Sequence, residues 1–154
     1  LLSRRQRQMC IRDRINMLKN FLSQQHDVKI EVRRRVIPID QLRPTQKEVY
    51  ADELRGRQYE IKRGLVEPLI VIRKDGYYVL VDGHHRVLAA KEMGVKQFQA
   101  FVLEPEHDIE LGMEKSADEM GVKTIDDIRI IEGKNHPLVK VATRLLTNKD
   151  AGSE

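Results

Sequence analysis

Cysteine is nearly absent from this 154-residue chain, in which Cys10 stands alone. One thiol can neither close an internal disulfide nor build a multi-cysteine zinc or iron–sulfur site, so a reducing, cytoplasmic setting is expected. Long apolar runs are missing too. No stretch approaches the ~18 consecutive apolar residues of a membrane span, and no basic n-region leads into an apolar h-region, so neither a span nor a secretory signal is expected. Net charge is absent from most of the sequence. The overall +4 comes from residues 1–14, where Arg4, Arg5, Arg7, Arg12 and Arg14 face only Asp13, and the rest carries equal numbers of basic and acidic side chains. A neutral body exerts no global pull on phosphate backbones, so DNA is not an expected partner of the folded part.

What is present reads as one α/β domain, with 40% hydrophobic residues to fill a single core. Met9-Cys10-Ile11-Arg12-Asp13-Arg14 resembles one reading frame of a transposase adapter used in sequencing libraries. Residues 1–14 are therefore set apart as a non-native or disordered head. Ile15, Met17, Leu18, Phe21 and Leu22 predict a short helix within residues 15–27. Val28, Ile30 and Val32 alternate with Lys29 and Glu31 as in a half-buried strand, which Arg33, Arg34 and Arg35 interrupt as a solvated edge. Pro44 biases Arg43 away from helical angles. Thr45 and Glu48 then form a capping-box pattern that predicts a helix to about Arg63, ended by Gly64.

The β-branched runs 68–73 and 77–81 flank Asp75-Gly76, the strongest hairpin signal in the chain. A compact helix follows over residues 87–93, stopped at Gly94, and a strand over 97–103. The domain so defined spans residues 28–104. Residues 105–154 read as a helical extension, with helices predicted over 107–120 and 137–146 and a short element at 124–131 capped by Thr124 with Asp127 in its first turn.

One segment carries chemistry. Asp82-Gly83-His84-His85-Arg86 lies where a strand ends and a helix begins. A helix start offers unpaired N–H groups and the positive end of its dipole, Gly83 allows close backbone approach, and Arg86 can fork onto phosphate oxygens. Two histidines can add donors or a proton relay near neutral pH. The competing reading is structural, with Asp82 as a plain helix cap and Arg86 in a local ion pair. Zinc is disfavoured, because adjacent histidines point to different sides, unlike an i, i+4 pair.

Residues 36–103 resemble the ParB/sulfiredoxin superfamily. The likeness is carried by Pro38-Ile39, by Leu42-Arg43-Pro44, by the stretch from Gly64 through Glu67-Pro68 to Val71, by Asp82-Gly83-His84-His85-Arg86 followed by Val87-Leu88-Ala89-Ala90, and by Gly94. The resemblance implies a mixed sheet with helices and a loop that holds nucleotide phosphates. It makes Gly83, His84, His85 and Arg86 the phosphate-contacting set and ATP, ADP or CTP with Mg2+ the cofactor. The spelling Asp-Gly-His-His-Arg is similar to the archaeal free-serine-kinase branch, which adds a small hydroxyl-bearing substrate and a catalytic carboxylate. Asp82 and Glu48 are the candidates, since Gln46 stands where that branch has a glutamate and an amide cannot take a proton. Sulfiredoxin chemistry is excluded, because His84 stands where its cysteine would be. A further alternative is a DNA-binding partition or nuclease-type protein with a helix-turn-helix near residues 113–131. There the acidic start Asp126-Asp127 of the second helix would repel phosphates.

Overall fold

The computed structural model describes residues 4–132, with side chains from Ile11 onward. Its strands are β1 (Ile30–Pro38), β2 (Leu42–Arg43), β3 (Glu48–Tyr50), β4 (Leu69–Lys74), β5 (Tyr77–Asp82), β6 (Gln97–Pro105) and β7 (Arg129–Ile131). Its helices are α1 (Arg4–His26), α2 (Ala51–Lys62), α3 (His84–Glu92) and α4 (Gly112–Glu119). Five strands form a mixed sheet in the order β1-β6-β4-β5-β2, and β3 pairs with β7 in a second, two-stranded sheet. The expected mixed α/β architecture is the one observed. No helix among the described residues is long and apolar enough to cross a membrane.

The central strand β4 is flanked by β6 in parallel and β5 in antiparallel pairing, and Leu69, Ile70, Val71 and Ile72 are all buried. A strand covered on both faces needs apolar side chains in both directions. Leu69 and Val71 join Ile37, Leu54, Leu80, Val87 and Val102 in one core cluster, while Ile70 and Ile72 join Ile15, Leu22, Ile30, Val79 and Leu103 in the other. The β4–β5 hairpin forms as its turn residues require, with Gly76 at φ 81°.

Several boundaries depart from the expectations. The helix expected from Ile15 begins at Arg4, and Ile11, within the head set apart above, is buried with the α1-side core. Strand β1 runs unbroken through Arg33, Arg34 and Arg35 at the sheet edge; Arg33 and Arg35 both reach the buried carboxylate of Glu104, at 3.3 and 3.2 Å. The capping box at Thr45 and Glu48 is not formed, because α2 starts later, at Ala51. Thr45 Oγ1 instead donates to the carbonyl of Leu80 at 2.8 Å, and Glu48 pairs with Arg129 as part of β3.

Of the helical extension, the described part holds α4, a 3₁₀ turn at Ile125–Asp127 and strand β7. Asp127 accepts hydrogen bonds from the N–H groups of Lys123 and Thr124, at 3.0 and 2.9 Å, and these hold its carboxyl below the usual range. Ala117, Val122, Ile125 and Ile128 are buried in the core under α2 and α3. The segment is thus a packing element, and the second helix of a helix-turn-helix is replaced by a turn and a strand. The helix expected at 137–146 lies outside the described residues.

Candidate phosphate site

The site is built at the open end of the β4–β5 hairpin. Strand β5 ends at Asp82, Gly83 turns the chain at φ 111°, and α3 starts at once with His84. A Cβ on Gly83 would lie 2.4 Å from Leu69 Cδ2 and 2.9 Å from Arg86 Nη2, so this position excludes side chains by both backbone angle and space. His84, His85 and Arg86 form the first turn of the helix rather than a loop before it. The first intrahelical bond runs from Val87 N–H to Gly83 O at 2.9 Å, which leaves the amides of these three residues ahead of the helical ladder. Asp82 makes no side-chain cap; Gly83 occupies the cap position.

Arg86 lies almost wholly within the protein. Its Nη1 donates to Glu67 Oε2 at 2.9 Å and its Nη2 to Asp82 Oδ2 at 3.3 Å, while its buried Nε has no partner among the described residues. Burial, with Arg57 nearby, holds the guanidinium pKa below its usual value against the opposing pull of Asp82 and Glu67. Asp82 also pairs with Arg14 at 2.8 Å. Arg86 and Arg14 thus balance Glu67 and Asp82 within this ion-pair cluster.

The histidines face the chain between β2 and α2. Thr45 N–H donates to His84 Nε2 at 3.0 Å, and Tyr50 N–H donates to His85 Nε2 at 3.1 Å. The carboxylate of Glu53 stands 3.3 Å from the same nitrogen of His85, and the rings of Tyr50 and His85 stack with centroids 6.2 Å apart. His84 is 4% exposed; burial, and then the neighbouring His85 and Arg86, push its pKa down to about 4 against the opposing pull of Asp82.

Of the residues singled out in the sequence, Asp82, Gly83, His84, His85 and Arg86 come together here. Glu48 stays on β3, its carbonyl accepting from Gln46 Nε2 at 2.5 Å, and its carboxylate makes no ion pair among the described residues. Glu67, Thr45 and Tyr50 are participants the sequence reading missed. For Glu67 the available signal was an acidic residue directly before Pro68 and a buried strand. Among the described residues no group of three or more His, Cys, Asp or Glu is arranged to hold a metal ion.

A family model for the ParB N-terminal domain matches residues 22–117, well over half of the chain and the whole of this site. The chain belongs to the ParB N-terminal domain family. This ParB-type domain is also 41% identical over 128 residues to an uncharacterized protein of Methanocaldococcus jannaschii, an alignment covering 82% of this chain and 48% of the relative. The chain thus spans about half the length of that curated relative. Among solved structures, the protein Atu1540 of Agrobacterium tumefaciens superposes with a TM-score of 0.50 at 22% identity, covering 76% of this chain and 69% of the other, which shows the shared fold. A free serine kinase in complex with AMP aligns with a TM-score of 0.40 at 22% identity over 45% of this chain and 30% of its own, a likeness too slight to bear on the site.

Proposed function

We propose that the ParB-type domain binds the phosphates of a nucleotide at the first turn of α3. The observation that carries this reading is Arg86. A buried guanidinium, clamped by Glu67 and Asp82 and left with an unpaired Nε, lies under Gly83 beside three amides that precede the helical ladder. An anion at a helix start supplies acceptors for amides that the helical ladder leaves unpaired, with the Arg86 guanidinium beside them. Gly83 leaves room for Leu69 and the Arg86 guanidinium to pack against the backbone of this turn. ATP, ADP and CTP with Mg2+ are the ligands to test, the metal arriving with the phosphates.

The test is isothermal calorimetry with each nucleotide and magnesium, on the native protein and on Arg86→Ala. Loss of charge-assisted hydrogen bonds is expected to weaken binding by about 1.5–3 kcal/mol. Arg86→Lys, which keeps the charge and loses the fork, separates a folding defect from a binding one. Unchanged affinity in a folded Arg86→Ala protein removes the arginine from the site.

A second reading, transfer of phosphate to a small hydroxyl compound such as free serine, is favoured by the straps from Thr45 and Tyr50 to the histidines, which hold the segment bearing Glu48 close to the cradle. In that reading Asp82 or Glu48 takes the hydroxyl proton. Incubation of ATP or ADP with serine and detection of phosphoserine tests it; Asp82→Asn and Glu48→Gln then tell the two carboxylates apart.

A further inference from the structure

We propose that His84 is a positioning residue, held in a single tautomer, that clasps residues 45–50 to the first turn of α3 so that a ligand in the cradle tightens that segment. The ligand half of this inference rests on the nucleotide reading; the clasp itself does not.

The argument starts at Thr45. Its hydroxyl donates to the carbonyl of Leu80 at 2.8 Å and lies farther from His84 Nε2, at 3.5 Å, than the backbone N–H, which donates to that nitrogen at 3.0 Å. A backbone amide can only donate, so Nε2 must accept. A neutral imidazole carries one donor and one acceptor, which places the ring proton on Nδ1. The groups facing this ring are Asp82 at the end of β5 and His85 and Arg86 on its own helix, and burial among them keeps it neutral. A protonated ring would set an N–H against an N–H and break the clasp.

A second strap lies at the other end of the same segment, where Tyr50 N–H meets His85 Nε2. Consecutive residues of one helical turn thereby grip both ends of residues 45–50, the stretch that carries Gln46 and Glu48 and leads into α2. The amides of His84 and His85 lie in the turn proposed to meet phosphate. Anchoring that turn with a ligand therefore reduces the freedom of both imidazoles and of the chain they hold, and the coupling runs in both directions.

The experiment compares the native protein with His84→Gln, His84→Asn and His84→Ala. Glutamine can present an acceptor where Nε2 stands; asparagine and alanine cannot reach. Imidazole nitrogen chemical shifts should report protonated Nδ1 in the native protein. The Thr45 amide should exchange with solvent slowly in the native and His84→Gln proteins and at least tenfold faster in the other two. Saturating ATP with magnesium should slow Thr45 exchange in the native protein and lose that effect in His84→Ala.

Protonated Nε2, or equal Thr45 exchange in all four folded proteins, overturns the clasp. ATP that binds the native protein without changing Thr45 exchange overturns the coupling. Failure of ATP, ADP and CTP alike to bind overturns the nucleotide reading and the coupling with it, while the nitrogen shifts and the variant series still decide the clasp.

Discussion

The two ends of the β4–β5 hairpin carry similar ionic groups and use them differently. At the turn end, Lys74 is buried and donates to the carbonyl of Ile109 at 2.5 Å, with Asp108 at 2.9 Å and Glu114 at 3.9 Å. Tyr77 donates its hydroxyl proton to Glu114 at 2.5 Å, and burial, followed by that contact, pushes its pKa up to about 12. Both of these donors have their acceptors. At the other end, Arg86 is equally buried but keeps Nε unpaired, beside amides outside the helical ladder. An open cleft of about 530 Å³, lined by Arg73, Lys74, Tyr77, Tyr78, His107 and Asp108, lies at the saturated end. Arg73 in that cleft is spent on Glu104, at 2.5 Å, whereas Arg86 Nε at the opposite end keeps no acceptor among the described residues.

The contrast is most sharply broken by Gly83→Ala. A Cβ forced against Leu69 and the Arg86 guanidinium at φ 111° should cost roughly 2–4 kcal/mol in chemical denaturation and abolish nucleotide binding.

Acid should act on the same end. His84 takes its proton near pH 4 when folded and near 6.5 when unfolded, so between these values the unfolded chain binds more protons and stability falls as pH falls. The contribution is fully present above pH 6.5 and lost by pH 4, about 3 kcal/mol in all. Denaturation across that range should show a shallower slope for His84→Gln than for the native protein.

The saturated end should behave as scaffold only. Lys74→Met should lower stability by about 1–2 kcal/mol and leave nucleotide affinity by calorimetry unchanged. A matching loss of affinity would erase the distinction between the two ends.

Local patterns were legible where local chemistry governs. Asp75-Gly76 marks the hairpin because few residues tolerate that turn, and the β-branched run 68–73 reads as one of its strands, which forms over Leu69–Lys74. The strand-to-helix junction at Asp82 and Gly83 was equally visible. The reading failed at Thr45 and Glu48, where a sound capping pattern lost to partners far along the chain. Thr45 bonds Leu80 and His84, and Glu48 pairs with Arg129. Nor was it legible how the two histidines are held: their Nε2 atoms meet the backbone N–H groups of Tyr50 and Thr45, 35 and 39 positions earlier.

By itself, the sequence determined the alternation that makes the strands, the turn glycines, the charge-neutral body and the place along the chain where a helix start meets Gly83 and Arg86. These follow from side-chain period and backbone freedom, which act within a few residues. Only the tertiary structure decided that Glu67 and Asp82 clamp Arg86, that β3 finds β7, and that His84 and His85 grip the segment from Thr45 to Tyr50. Hydrogen bonds between distant residues leave no periodic trace in a sequence; they exist because packing Leu69, Leu80 and Val87 into one core brings their neighbours within reach.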